Sequence, residues 1–303
     1  MSLLAINHHY YREVSPPGGI YPINRMKLNA EVNLLRRHRR PLDQYGLLTA
    51  LADPEEIHRY NGKFILTFDD GLKEQMAALH DLNRWGIAAI FFVPTAPIVE
   101  KRVLDVHKLH LIRTVLRDAE LLNSLEKLYP SALKNLDDAS AVAQYRYDDE
   151  SARRVKFLLN FVLLPDERQD WIDKVFAKSV GAEVDVVKAL YMNHEEIRFL
   201  GKKNMLGTHA HNHLPLAQLN YEEIIQDVAL SMDILTNISN EAIRGISFPY
   251  GGPGAANDLV VKACSALDLS YGFTMKRGYN EASDFCEPLQ LKRIDCNDVS
   301  DFI

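Results

Sequence analysis

The sequence predicts an α/β fold built on a parallel sheet, and three observations carry that expectation. Short apolar runs alternate with stretches of helical periodicity in both end regions of the chain. The unusual polar residues stand just past the ends of those runs, where parallel α/β folds keep their chemistry. Residues 97–206 break the alternation: they are rich in Leu, Lys, Asp and Glu, show helical periods such as 153–164, and read as a mainly helical insertion within a single domain spanning 1–303.

Taken in order, the apolar run Leu3–Ile6 reads as a first strand ending near His8 and His9. Lys63–Phe68 is a β-rich run that stops at Asp69-Asp70-Gly71. Residues 73–85 then carry helical spacing, with Gly86 as a natural stop. Residues 87–93 form a second buried strand closed by Pro94, completing one βαβ unit. Beyond the insertion, 204–208 reads as a strand running into His209. Asn220 and Glu223 make a capping box for the helix that follows. Residues 243–249 are another short strand entering the turn Gly251–Gly254, and 270–275 and 289–296 are two more.

Composition narrows the class. Of the 303 residues, 47% are hydrophobic and 25% charged, ordinary values for a globular protein with a large core. A formal net charge of −6 argues against a nucleic-acid partner. The basic run Arg36–Arg40 reads as a solvated loop after a helix. No segment reaches the roughly 18 apolar residues of a membrane span, and no leader is evident, so the chain reads as cytoplasmic. Cys264, Cys286 and Cys296 are widely spaced, without a Cys-x-x-Cys, and read as reduced thiols. Nothing in the sequence sets the oligomeric state.

Thr67-Phe68-Asp69-Asp70-Gly71 is the strongest chemical signal. Two adjacent carboxylates at a strand end oppose each other's ionisation unless a cation intervenes, although Asp-Asp-Gly is also good turn chemistry. The second signal is Gly207-Thr208-His209-Ala210-His211-Asn212-His213. His209 and His213, four apart, can converge on one ion if the backbone coils, and neutral imidazoles suit zinc or a similar first-row ion. This is not the zincin pattern, because Ala210 stands where that motif needs its Glu. His211 reads as orientational or solvated. One Asp and two His leave positions open for water and substrate, and the second Asp is free to act as a base.

These residues resemble the polysaccharide deacetylases with NodB homology, carbohydrate esterase family 4. Their Thr-Phe-Asp-Asp-Gly motif stands complete at Thr67–Gly71, and their His-(Ser/Thr)-x-x-His matches His209–His213 in histidine spacing, with Ala210 in the Ser/Thr place. The third motif, Arg-x-Pro-Tyr, departs: Ser247-Phe248-Pro249-Tyr250-Gly251 keeps Pro-Tyr-Gly and has Ser247 in the Arg place, as in the exopolysaccharide deacetylase variant. The resemblance covers 63–93 and 206–298, plus a weaker N-terminal match. The late Asp-x-x-Asp-Trp and Leu-x-His motifs are not evident. Asp166–Trp171 has the wrong spacing for the former, and no histidine follows His213.

The resemblance implies a distorted (β/α) barrel and a metal-dependent hydrolase that removes an acetyl group from an N-acetylated sugar, whether polysaccharide, oligosaccharide or lipid- or nucleotide-linked sugar. It places a divalent metal, Zn2+ or else Co2+, Mn2+ or Ni2+, on Asp70, His209 and His213. Asp69 is the implied base, and the backbone N–H of Tyr250 the oxyanion donor. The general acid must come from upstream or be dispensed with; His9 is the first choice, and His107 and His110 are the others. Phe248, Tyr250 and Tyr271 are candidate platforms for a sugar ring or else core residues. Two other readings are an amidohydrolase acting on a non-sugar amide and a catalytically inactive sugar-binding relative.

Overall fold

Period-two alternation along the strands decides the architecture, which a computed structural model describes for residues 2–52, 60–144, 149–252 and 254–303. The chain divides into two compact units, one comprising 1–14, 22–102 and 187–303 and the other 15–21 and 103–186.

The first unit holds every strand among the described residues. These are β1 (Leu3–His8), β2 (Arg40–Pro41), β3 (Lys63–Phe68), β4 (Ala89–Val93), β5 (Leu206–Thr208), β6 (Gly245–Ser247), β7 (Tyr271–Phe273) and β8 (Ile294–Asp295). All pair in parallel, in the order β7-β6-β5-β4-β3-β1-β8, with β2 beside β3. A parallel bridge from Phe273 to Leu291 lets the segment leading into β8 touch β7, while β8 itself pairs with β1. The sheet therefore curls until its two ends meet across one short segment, a distorted (β/α) barrel.

Alternate residues of the strands serve two cores. Leu4, Ile6, Phe64, Leu66, Phe68, Ala89, Phe91 and Val93 share one cluster with helical residues such as Leu28, Val32 and Leu82. The intervening Leu3, Ala5, Ile65, Ile90, Phe92, Tyr271, Phe273 and Leu291 form another. The second row lines the inside of the curled sheet. Continued towards the strand ends, its parity reaches Asn7, Thr67, Asp69 and Ser247, so the inward face turns polar where the strands stop.

Helices α1 (Arg25–His38), α2 (Gln44–Ala52), α3 (Gln75–Arg84) and α4 (Ala96–Val99) follow the early strands. Asn24 caps α1 by accepting from Lys27 N. In the second unit lie α5 (Asp105–Val115), α6 (Asp118–Leu128), α7 (Pro130–Lys134), α8 (Asp138–Gln144), α9 (Glu150–Phe157) and α10 (Pro165–Ser179). Its core includes Trp171, whose indole N–H donates to Ser124 Oγ at 3.2 Å. After α11 (Glu183–Leu190), α12 (His194–Lys202), α13 (Tyr221–Ser239) and α14 (Asp258–Ala266) return to the first unit. The Asn220–Glu223 capping box is present at the start of α13.

Two expectations need correction. The run Arg36–Arg40 is solvated as expected but is not a loop. Arg36, Arg37 and His38 form the last turn of α1, where cations meet the negative end of the helix. Arg39 follows as its C-cap and donates to the carbonyls of Ser2 and Lys63 at 3.1 and 3.3 Å. The strand expected over 289–296 is confined to Ile294–Asp295 after a 3-10 turn at Pro288–Gln290, because this segment has to cross from β7 to β1 rather than pair along one neighbour. Pro253, within the expected Gly251–Gly254 turn, lies outside the described residues.

Candidate active site

Registers align the strand ends. His8 sits opposite Phe68, Phe68 opposite Phe91, and Val93 opposite Thr208, so His9, Asp69 and His209 leave the sheet at one edge. The turn after β3 needs left-handed backbone at Asp70 (φ 80) and Gly71 (φ 60). A Cβ on Gly71 would meet Val93 Cγ1 at 2.9 Å, so glycine is required twice over there. Asp70, Ala210, His213 and Tyr250 are all non-glycine residues with positive φ. Backbone of this kind is costly and concentrates where surrounding contacts fix a functional geometry.

Asp70, His209 and His213, all buried, present one ligand atom each within 4.8 Å of one another. The Nε2 atoms of His209 and His213 lie 3.5 and 3.3 Å from the same oxygen, Asp70 Oδ1. Two ligands on a tetrahedral ion at roughly 2.0–2.1 Å stand about 3.4 Å apart, so the spacing fits a shared ion better than direct hydrogen bonds. His209 Nδ1 donates to the Ser247 carbonyl at 2.6 Å, which leaves Nε2 as the lone-pair nitrogen of the neutral ring. Burial opposes charge on His209, but the carboxylates of Asp69 and Asp70 outweigh it and raise its pKa. The pocket attracts positive charge, and the donor set suits zinc, cobalt, manganese or nickel.

Asp69 has a different environment. Arg293, fully buried, grips its carboxylate with two parallel bonds, Nη1 to Oδ1 at 3.0 Å and Nη2 to Oδ2 at 2.9 Å. Ser247 Oγ donates to Oδ2 at 2.9 Å. The rest of the guanidinium reaches Asn7 Oδ1, Thr67 Oγ1, Ser247 Oγ and the Thr274 carbonyl. Burial pushes the Asp69 carboxyl up, yet Arg293, His209 and His9 together hold it below the ordinary carboxylate range. The place left by the arginine missing at Ser247 is thus filled from the segment that closes the barrel. A charged residue of inward parity inside an expected strand was the available sequence signal.

Gln75, fully buried at the start of α3, joins two backbones: its Nε2 donates to the carbonyls of His9 at 2.9 Å and Asp69 at 2.5 Å. His9 is part-exposed at the same edge, and its charge acts on Asp69. Its neighbour His8 is wholly buried, with Nδ1 3.1 Å from the Thr67 carbonyl and Nε2 3.0 Å from Glu31 Oε1. Tyr250 is 52% exposed, its ring centroid 5.1 Å from that of His213. Phe248 and Tyr271, by contrast, are core residues at 1% and 0% exposure and present no face to a sugar. Gly251 (φ 54) follows Tyr250 so tightly that a Cβ would meet Met275 Cγ at 2.6 Å. Tyr10, buried and within reach of the Asp70 charge, is a residue that sequence reasoning passed over; burial and that carboxylate keep its phenol protonated. His107 and His110 lie on α5 in the second unit, as does Asp166–Trp171 on α10.

The polysaccharide deacetylase family model matches residues 186–272, the span carrying the histidine motif and Pro-Tyr-Gly. Over that span the sequence is similar to the polysaccharide deacetylases. Its fold is similar to that of IcaB from Ammonifex degensii, with TM-score 0.60 and 14% identity over 99% of this chain and 95% of that one. A de-N-acetylase from Aggregatibacter actinomycetemcomitans superposes with TM-score 0.58 and 12% identity over 100% of both chains. The Streptococcus pyogenes deacetylase PplD in complex with acetate gives 0.55 and 15%, covering 97% and 92%. No curated protein sequence matches the chain. No helix among the described residues is long and apolar enough to cross a membrane.

Proposed function

We propose that this protein is a metal-dependent deacetylase that hydrolyses the acetamide of an N-acetylated sugar. The observation that carries the reading is the convergence of Asp70, His209 and His213 beside a separate, cation-paired carboxylate, Asp69. The relation to polysaccharide deacetylases, and a fold relative described as a de-N-acetylase, support the substrate class.

Asp70, His209 and His213 would hold a divalent ion, Zn2+ before Co2+, Mn2+ or Ni2+, which when bound supplies Lewis-acid polarisation and a water of lowered pKa. Asp69, ionised at neutral pH, takes a proton from the attacking water. Its Oδ1 accepts from Arg293 Nη1 and keeps a lone pair for that proton, whereas Oδ2 accepts from both Arg293 and Ser247. The backbone N–H of Tyr250 donates to the developing oxyanion. The half-exposed Tyr250 ring offers an apolar face to the sugar. His9, at the same sheet edge, delivers the proton that the leaving amine needs.

Acetate release from N-acetylhexosamine oligomers and from lipid- or nucleotide-linked N-acetyl sugars, run beside cyclic amides, tests this reading. The expected result is acetate from at least one sugar class, lost on chelation and restored by Zn2+ or Co2+. Turnover of cyclic amides alone would replace the sugar by a non-sugar amide, and activity that survives chelation would overturn the metal dependence.

A further inference from the structure

His209 and His213 come together through a coil with left-handed backbone at Ala210 (φ 61), between them, and at His213 itself (φ 56). Neither residue has a glycine's freedom, so contacts from outside the loop must fix the coil. Asp227, on the second turn of α13 and only 7% exposed, supplies them. Its Oδ1 accepts from His211 N at 2.7 Å, and its Oδ2 accepts from Asn212 N at 3.2 Å and Asn212 Nδ2 at 2.7 Å. The opposite flank is held through His211, whose Nδ1 meets Thr95 Oγ1 at 2.8 Å, whose Nε2 meets Glu100 Oε1 at 2.8 Å, and whose carbonyl accepts from Ala96 N at 3.0 Å.

We propose that Asp227 is a positioning residue for the metal site: by accepting the N–H groups of residues 211 and 212 it sets the coil that brings His213 beside Asp70. The proposal rests on the metal-site reading of Asp70, His209 and His213. Three donors and no acceptor converge on this side chain from the loop, so an acceptor-only carboxylate satisfies all of them. An asparagine of nearly the same volume must turn an NH2 toward one donor, so the exchange is not conservative at this position. The ligand residues would then keep their identity while losing the geometry that lets both imidazoles point at one oxygen.

Cobalt titration of the full-length metal-free protein, followed by its visible bands and by chelator competition, reads this directly. Wild type should bind Co2+ with a four-coordinate spectrum. Asp227→Asn and Asp227→Ala should weaken binding by about 10–100-fold, as supporting residues of metal ligands do, and alter the bands at saturation. Asp81→Asn serves as a control, since Asp81 is equally buried (7%) and accepts from Tyr11 at 2.6 Å away from the histidine loop. It should keep the wild-type affinity and spectrum despite its own loss of stability. Should Asp227→Ala fail to fold, Asp227→Asn carries the measurement. Wild-type Co2+ affinity and bands in Asp227→Asn would overturn the proposal, as would an equal change in Asp81→Asn. Failure of wild type itself to bind Co2+ would instead remove the metal-site reading beneath it.

Discussion

Asp69 and Asp70 are adjacent in sequence but belong to different electrostatic regions of the molecule. Asp69 continues the inward row of β3 and meets a permanent cation, Arg293, deep in the curled sheet. Asp70 turns out of that row through φ 80 and meets two imidazoles that are neutral unless protonated. One carboxylate is paired with a guanidinium by the fold, and the other faces two imidazoles in the arrangement proposed to hold a metal ion. The repulsion between these adjacent carboxylates is eased because Arg293 offsets the charge on Asp69.

The largest expected effect comes from removing the carboxylate of the proposed metal site. Asp70→Ala should abolish both metal binding, read by elemental analysis, and acetate release. Asp69→Asn should split those readouts: metal content stays at the wild-type level while kcat falls about 10²–10⁴-fold, the usual contribution of a positioned base. Loss of metal in Asp69→Asn would erase the distinction between the two carboxylates.

Next in size is Arg293→Met, which strands a buried carboxylate and should cost about 3–5 kcal/mol in chemical denaturation at neutral pH. The sign with pH follows from Asp69. Its folded value lies below the ordinary one, so its contribution is present above about pH 4 and is lost as pH falls through the folded value. In the variant, burial pushes the carboxyl up without the opposition of Arg293, the main cation that holds it down, so a proton relieves part of the penalty. The gap between wild type and variant should therefore narrow on acidification, and a gap independent of pH would show that Arg293 acts by packing rather than charge.

A smaller effect is expected at the buried pair beneath the site. Burial disfavours charge on His8, but Glu31, the Thr67 carbonyl and Asp295 outweigh it and raise its pKa. The pair's stabilisation is thus full below about pH 6.5 and fades as pH rises through the folded value. Glu31→Gln should lower the thermal midpoint most at mildly acid pH, by the equivalent of about 1–3 kcal/mol, and least at alkaline pH.

Much of this was legible from local pattern. Strand β3, helix α3, the capping box of α13 and the spacing of His209 and His213 depend on periodicity, turn chemistry and caps, interactions spanning a few residues. Asp70, His209 and His213 were named as candidate ligands from two such local motifs, and the chain folds so that both end at one sheet edge. Residues 289–296, by contrast, carried strand composition but formed only Ile294–Asp295 as β8, because the geometry of closing the barrel overrode local propensity. Exposure likewise separated Tyr250 from Phe248 and Tyr271, which composition alone treats alike.

By itself, then, the sequence determined the parallel α/β framework and the four polar residues Asp69, Asp70, His209 and His213, because each is written in a short segment. Only the tertiary structure decided what surrounds them. Arg293 reaches Asp69 across 224 positions, Gln75 ties His9 to Asp69, and Asp227 accepts from the histidine loop. Charge and hydrogen-bond partners are chosen through space, and the curl of the sheet sets which distant residues share that space.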